Sequence, residues 1–247
     1  MIRYLFPTII FQRTLTCKYS MGDDLVLDDT YMKMLKDEMD AMRRRDPVGR
    51  QISNAYTGWQ SNDGVDNNPV FQKLMNRITT IFHQEVWPFY GIDPHNMQFQ
   101  MGNCWSNIND KTAWNKPHLH NGCWYSGVFY IHADGDEGNF SAINTDPKVV
   151  SDMPNSNRQQ ESWDFEPKTG ELILFPSGMM HMVAPNLTDK DRYSISFNSA
   201  YTVNNPEAYR NNFATGWHPE EATFHLDEKG TLIQNRYEPI DWENHRG

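Results

Sequence analysis

The apolar residues recur at helical spacing in two segments of the N-terminal part. One side of a helix over residues 29–45 is apolar, and this helix starts with acidic and ends with basic residues. Its apolar side comprises Tyr31, Leu35, Met39 and Met42. A second helix is predicted to begin at Asn68, a capping residue followed by a proline. Its apolar stripe comprises Phe71, Leu74, Ile78 and Phe82.

From about residue 97 the hydrophobic period changes to two. Short runs rich in β-branched and aromatic residues alternate with turn residues, as in "CWYSGVFYIHA", "GELILFP" and "RYSISFNSAYTV". Strands this short and numerous predict a sandwich or a closed roll, so the fold is mainly β with flanking helices. We expect one domain over residues 1–202 and, over residues 203–247, a polar C-terminal extension packed on the core.

The net charge, the lack of a long apolar run and the cysteine count exclude several classes of protein. The formal net charge of −10 opposes close approach to a phosphate backbone, so no nucleic-acid partner is expected. No run of residues is apolar enough to span a bilayer and no cleavable leader is evident, which predicts a cytoplasmic protein. Three scattered cysteines, Cys17, Cys104 and Cys123, indicate reduced thiols and no disulfide framework.

Three histidines are candidate metal ligands. His118 and His120 are two residues apart, so on an extended chain both side chains point to the same face and can converge on one ion. A pair alone is a weak signal, because a metal site needs further ligands. His181 heads a later strand, which a rolled β core can bring beside the pair. Its alternative role is that of an edge-strand histidine hydrogen-bonded to a turn.

The strand "RYSISFNS" contains a candidate anion site. Alternation sends Arg192, Ser194 and Ser196 to one face. An arginine pointing into a small barrel is costly unless it meets an anion, and a guanidinium with a hydroxyl two residues on suits a carboxylate. If this face points outward instead, Arg192 is a solvated side chain.

Together these residues resemble the Fe(II)- and 2-oxoglutarate-dependent oxygenases. The resemblance is closest to the 2-oxoglutarate oxygenase family of bacteria and phages, within the prolyl-hydroxylase-like superfamily, and covers roughly residues 4 to 200. It rests on "LFPT" at 5–8, "GWQSN" at 58–62, "HLHNGCWYSGVFYI" at 118–131, "LILFPSGMMHMVAPN" at 172–186 and "RYSISFN" at 192–198.

The resemblance implies a double-stranded β-helix, a jelly-roll or cupin-like barrel. It also implies that Fe(II), 2-oxoglutarate and O2 are used to hydroxylate a C–H bond of a peptidyl or small-molecule substrate, with release of succinate and CO2. His118 and His181 would be iron ligands, and Arg192 with Ser194 would bind the far carboxylate of 2-oxoglutarate. Tyr130 matches a strand tyrosine that bonds the same carboxylate, or else it is a core aromatic. No catalytic residue beyond the metal ligands is implied, and a phage-encoded protein would act in the host cytoplasm.

His120 departs from the wider superfamily, which usually has Asp or Glu at this position. Three neutral imidazoles leave bound Fe(II) with one more positive charge than two imidazoles and a carboxylate. Two alternatives therefore stay open: a three-histidine iron dioxygenase that does not use 2-oxoglutarate, and a jelly-roll module without catalysis. In a rival register of the motif, His120 and His181 hold the iron and Gly122 stands where the third ligand is expected. One coordination position is then left open. Four aromatic residues flank the expected site, either as a substrate wall or as ordinary packing: Trp105, Trp114, Trp124 and Tyr125.

Overall fold

The computed structural model describes residues 8–16, 27–54, 57–92, 97–145, 161–203, 224–226 and 232–234. The first three residues of the "LFPT" motif and Cys17 lie outside these ranges. The chain divides into two compact units, one of Met1–Val86 with Phe99–Tyr201 and one of Trp87–Gln98 with Thr202–Gly247.

The described elements are mostly strands. The helices are α1 (Asp29–Arg45), α2 (Gln72–Ile81) and α3 (Trp87–Phe89), with 3-10 turns at Val65–Asn67 and Pro69–Phe71 and a π-helical turn at Phe82–Val86. The strands are β1 (Phe11–Thr14), β2 (Trp59–Gln60), β3 (Met97–Asn109), β4 (Asn115–His118), β5 (Tyr125–His132), β6 (Phe140–Ile143), β7 (Ser162–Phe165), β8 (Glu171–Pro176), β9 (His181–Val183), β10 (Arg192–Val203), β11 (Phe224–Leu226) and β12 (Leu232–Gln234).

Two antiparallel sheets form the first unit. The larger has the order β1-β8-β5-β10-β3-β2, and the smaller has the order β4-β9-β6-β7. A buried apolar cluster contains residues of both sheets, among them Val128 and Ile173 of the larger sheet and Phe140 of the smaller one. The core therefore lies between the sheets, as the period-two runs predicted, and the mainly β fold class is confirmed.

Both predicted helices are present, and their predicted faces are buried except for Met42, which is half-buried. Asp28 caps α1 by accepting a hydrogen bond from the backbone N–H of Tyr31 at 2.7 Å. Asn68 caps the second segment through the N–H of Val70, and Pro69 opens it as a 3-10 turn that continues into α2. The four predicted stripe residues of the second helical segment are fully buried.

Two strands at the edges of the larger sheet were not predicted from the sequence. β1 pairs antiparallel with β8, from Phe11 opposite Leu174 to Thr14 opposite Glu171. β2 pairs with β3 through Trp59 and Gln60. Each added strand covers an edge of the larger sheet, where unpaired backbone groups would otherwise be open to another chain. Their hydrophobic runs are too short to give a periodic signal.

In the second unit the described residues include α3 and an antiparallel hairpin of β11 and β12. The hairpin shows that the predicted C-terminal extension is not wholly irregular, and its packing on the core stays a prediction. No helix in the described ranges is long and apolar enough to cross a membrane. Cys104 is buried with a free thiol, and the free thiol of Cys123 is half-buried.

Candidate metal and co-substrate site

Three histidines converge at one end of the smaller sheet, and we refer to His118, His120 and His181 as the histidine triad. His118 ends β4 and lies directly opposite His181, which begins β9. One ring nitrogen from each of the three residues lies within 4.8 Å of the other two. In the described part of the chain this is the one group of three or more such side chains close enough to hold a metal ion.

The hydrogen bonds of two triad residues suit metal binding. His118 Nδ1 donates to the carbonyl of Lys116 at 2.7 Å, and His181 Nδ1 donates to the carbonyl of Met179 at 2.9 Å. Because a carbonyl can only accept, both protons lie on Nδ1, and both Nε2 atoms carry a free lone pair. Metal-binding histidines are commonly oriented in this way.

The triad is neutral at physiological pH. Burial lowers the pKa of His118, and burial with the neighbouring His118 lowers the pKa of His120 to about 4 and that of His181 to about 3. His120 Nε2 and His181 Nε2 are 3.3 Å apart. Two nitrogens that bind one ion at about 2.1 Å and at right angles would be about 3.0 Å apart, so this spacing fits a shared metal ion.

His120 lies just beyond the end of a strand. β4 ends at His118, and the N–H of His120 donates to the carbonyl of Ser177 at 2.8 Å. The imidazoles of His118 and His120 approach each other, with their ring centroids 5.2 Å apart. The two side chains therefore converge, as their spacing in the sequence predicted.

A narrow cavity of about 50 Å³ adjoins the triad between the two sheets, and we call it the inner cavity. Its polar lining includes Asn107, Tyr130, Arg192, Ser194 and Ser196 besides the triad. Arg192, Ser194 and Ser196 of β10 all line this cavity, as their alternation predicted, and Phe197 of the same strand lines it too. Ser194 lies opposite Tyr130 on the paired strand β5.

Arg192 is the charged residue of the inner cavity. Only 2% of its surface is exposed, which is inconsistent with a solvated side chain. Its Nη1 donates to the carbonyls of Glu137 at 3.1 Å and Gly138 at 2.6 Å. Its Nε is buried and has no hydrogen-bond partner in the part of the chain that the structure describes. Burial lowers the pKa of Arg192, while the nearby Tyr130 and Glu137 act in the opposite direction.

Tyr130 stays protonated under physiological conditions. Burial raises its pKa to about 12, against the opposing effect of the Arg192 charge. Its phenol therefore carries a proton that can be donated to an acceptor in the cavity. The cavity therefore offers a set of hydrogen-bond donors suited to a carboxylate: the guanidinium of Arg192, whose Nε is unpaired among the described residues, the phenol of Tyr130 and the hydroxyl of Ser194.

A wider groove of about 380 Å³ also reaches the triad, and we call it the outer groove. It shares His118 and His120 with the inner cavity. Its further lining includes Arg50, Asp63, Trp105, Lys116, Asn121 and Cys123. Arg50 pairs with Asp63 at 2.6 Å, and Lys116 is exposed without an ion pair among the described residues.

Only one of the four aromatic residues expected near the site borders it. Trp105 lines both the inner cavity and the outer groove. Trp124 and Tyr125 pack around Phe82, with ring centroids 6.2 and 6.4 Å away. Of the two alternatives, ordinary packing is therefore the correct one for Trp124 and Tyr125.

The sequence analysis missed several polar residues of the site. Asn107 donates to Ser196 Oγ at 3.0 Å, and Asn115 donates to Ser53 Oγ at the same distance. Alternation along β3 could have indicated Asn107. Nothing in the sequence around Ser53 indicates a site, because this loop reaches the cavity through the tertiary fold alone.

The sequence of the β core matches a known family. Residues 103–198 match the model of the family described as "Putative 2OG-Fe(II) oxygenase". Over these residues the chain is similar to the 2OG-Fe(II) oxygenases. The enzyme class and the two cofactors named in that description, Fe(II) and 2-oxoglutarate, agree with the expectations from the sequence. The match starts after the motifs at 5–8 and 58–62, and no curated protein matches the chain.

Several solved structures of low sequence identity align with the chain. The epimerase SnoN from nogalamycin biosynthesis, described as non-heme and alpha-ketoglutarate-dependent, aligns over 92% of both chains with 10% identity and a TM-score of 0.55. A prolyl-4-hydroxylase from Pseudomonas putida aligns over 77% of this chain and 91% of its own with 16% identity and a TM-score of 0.47. HygX from Streptomyces hygroscopicus, solved with nickel and 2-oxoglutarate, aligns over 78% and 82% with 12% identity and a TM-score of 0.47.

The likeness to SnoN supports the double-stranded β-helix that the resemblance implied. It also shows that an epimerase can have this fold, so the architecture alone does not determine the reaction. The reaction and the substrate must therefore be argued from the residues of the site.

Proposed function

We propose that the protein is an Fe(II)- and 2-oxoglutarate-dependent dioxygenase that hydroxylates a C–H bond of a peptidyl or small-molecule substrate. In this proposal the histidine triad holds the iron, and Arg192, Ser194 and Tyr130 hold the far carboxylate of 2-oxoglutarate. The observation that carries it is the buried Arg192, whose Nε has no partner among the described residues, in a cavity bordered by three imidazoles. A burial of this kind is costly without an anion.

Bound iron supplies the oxidation of 2-oxoglutarate by O2 to succinate and CO2, coupled to hydroxylation of the substrate. The residues of the chain bind and orient the reactants. The neutral triad offers lone pairs without losing protons, because the pKa values of all three histidines are lowered. Arg192 neutralises the co-substrate carboxylate, and the protonated Tyr130 donates to it.

The substrate enters, in this proposal, through the outer groove. The groove reaches His118 and His120, and Arg192 lines the inner cavity but not the groove. Its lining of one ion pair, amides and one tryptophan suits a polar peptidyl or small-molecule substrate. A nucleic-acid substrate is not expected, because the chain carries a net charge of −10.

The test is anaerobic addition of 2-oxoglutarate to the Fe(II)-loaded protein. We expect a visible metal-to-ligand charge-transfer band and, after air is admitted, slow formation of succinate. Iron binding without the band would favour a three-histidine dioxygenase that does not use 2-oxoglutarate. Absence of iron binding would favour a jelly-roll module without catalysis.

A further inference from the structure

A buried acidic residue lies in the turn between β5 and β6. Glu137 is 1% exposed. Its carboxylate turns back on its own loop: both oxygens accept from the N–H of Asp134 at 3.0 Å, and Oε2 also accepts from the N–H of Gly135 at 3.1 Å. These bonds satisfy a charge that would otherwise be costly to bury, and they fix the shape of the turn.

The same turn holds Arg192. The backbone carbonyls of Glu137 and Gly138 accept from Nη1, which uses both of the protons on that nitrogen. The guanidinium then has Nε and Nη2 left as an edge for a carboxylate. The direction of this edge depends on where the two carbonyls lie, and their position depends on the shape of the turn.

The backbone packs closely on the other side of the turn. Gly138 has a φ of +92°, and a Cβ at this position would lie 2.2 Å from the carbonyl oxygen of Ala184. Ala184 in turn donates its N–H to the carbonyl of Asn139 at 2.8 Å. The turn is thus fixed from outside by backbone contacts and from inside by the Glu137 carboxylate, so the Gly138 carbonyl has little freedom to move.

We propose that Glu137 is a positioning residue for Arg192: its carboxylate holds the turn whose two carbonyls direct the guanidinium at the co-substrate. This inference rests on the proposed function, in which Arg192 binds 2-oxoglutarate. Glu137 acts through the backbone, because no ion pair joins its carboxylate to Arg192 among the described residues. Burial lowers the pKa of Arg192, and the nearby Tyr130 and Glu137 oppose this shift.

A double-mutant cycle tests the inference. 2-Oxoglutarate is titrated anaerobically into Fe(II)-loaded wild type, Glu137→Gln, Arg192→Gln and the double variant, with the affinity read by calorimetry and by the charge-transfer band. Glu137→Gln places an amide N–H against a backbone N–H, which disrupts the turn. We expect a loss of affinity of about tenfold, as is typical when a group that orients a binding residue is removed. In the Arg192→Gln background we expect no further loss.

Asp134→Asn is the matched control. It makes the same acid-to-amide change in the same turn, but Asp134 points outward to an ion pair with Lys190 at 2.6 Å. We expect its 2-oxoglutarate affinity to stay within about twofold of wild type, as for an exposed pair. Iron content and thermal unfolding are measured for every variant. If Glu137→Gln does not fold, Glu137→Asp takes its place in the cycle, because it keeps the charge but shortens the reach to the two N–H groups.

The outcomes separate this inference from the proposed function. Wild-type affinity in the Glu137 variants, or a loss that adds to that of Arg192→Gln, would overturn the positioning role and leave the co-substrate site intact. Unchanged affinity in Arg192→Gln would instead overturn the proposed function. A similar loss in Asp134→Asn and Glu137→Gln would overturn the role of the carboxylate, since any disturbance of the turn would then have the same effect.

Discussion

The two spaces that meet at the histidine triad are built differently. The inner cavity takes its binding residues from two paired strands, where Ser194 faces Tyr130 across the β5–β10 ladder and Arg192 is almost fully buried. The outer groove takes its residues from several loops as well as from strands of the larger sheet, among them Trp105 of β3. There the side chains of Arg50 and Asp63 keep about a third of their surface exposed, at 31% and 35%.

This difference separates a fixed site from an adaptable one. Strand register places Tyr130, Arg192 and Ser194 in the inner cavity, so a small ligand of constant shape can be bound by few residues. Side chains on loops can change without disturbing a sheet, as is common where substrate specificity resides. We therefore assign the constant co-substrate to the inner cavity and the specific substrate to the outer groove.

The largest expected effect comes from removing the triad, of which His118 and His120 line both spaces. His118→Ala, His120→Ala and His181→Ala should each lower iron affinity by more than about a hundredfold, because partners that only orient ligands already contribute about 10–100-fold. Succinate formation should fall to background in all three. Iron content and 2-oxoglutarate turnover measure this, and full activity in His120→Ala would show that His120 is not a ligand.

His120→Asp is a more specific test of His120 as an iron ligand. It restores the usual charge of two imidazoles and one carboxylate but shortens the side chain, so we expect iron to be retained and succinate formation to be reduced. In the rival register, where Gly122 leaves a position open, His118→Ala would be mild and His120→Asp severe. The ratio of bound iron in these two variants distinguishes the registers.

The next effect should be confined to the inner cavity. Arg192→Gln removes a buried cation from its carboxylate partner, which costs about 2–5 kcal/mol, or roughly thirtyfold and upward in affinity. Lys116→Gln is the matched change in the outer groove, where the side chain is exposed. We expect 2-oxoglutarate affinity to fall only in the first variant while both keep their iron. An equal loss in both would mean that the co-substrate does not occupy the inner cavity alone.

The sequence predicted the inner cavity better than the groove for a physical reason. Alternation along β10 depends on local backbone geometry, so the common face of Arg192, Ser194 and Ser196 could be inferred from spacing. The three histidines were also identified from their spacing, although His120 lies just beyond β4 and not in it. Burial of Glu137 could not be inferred, because an acidic residue among glycines indicates a solvated turn. The pairing of β1 with β8 depends on a distant partner that no local pattern reveals.

A smaller effect is expected from the phenol in the inner cavity. Tyr130→Phe removes one neutral donor and should weaken 2-oxoglutarate binding by about 0.5–1.5 kcal/mol, or roughly two- to tenfold. Because burial raises the pKa of Tyr130 to about 12, the phenol keeps its proton at ordinary pH. Ionisation at higher pH would replace the donor by an anion that repels the carboxylate. The loss caused by the variant should thus be the same at neutral pH and at pH of about 9. A loss that disappears at the higher pH would show that Tyr130 ionises in this range.

The smallest effect should come from the ion pair of the outer groove. Arg50→Gln breaks a half-exposed contact with Asp63, so the free energy of unfolding should fall by less than about 1 kcal/mol. Asp63 keeps the hydrogen bond that Asn103 donates at 2.9 Å, which limits the rearrangement. Chemical denaturation measures the free energy of unfolding, and titration measures the affinity for 2-oxoglutarate. Arg45→Gln is the control, because it breaks an ion pair with Glu38 that lies outside the groove lining. We expect co-substrate affinity and succinate formation without substrate to match wild type in both variants. Weaker 2-oxoglutarate binding in Arg50→Gln alone would mean that the groove and the inner cavity act as one site, and the division of labour between them would be wrong.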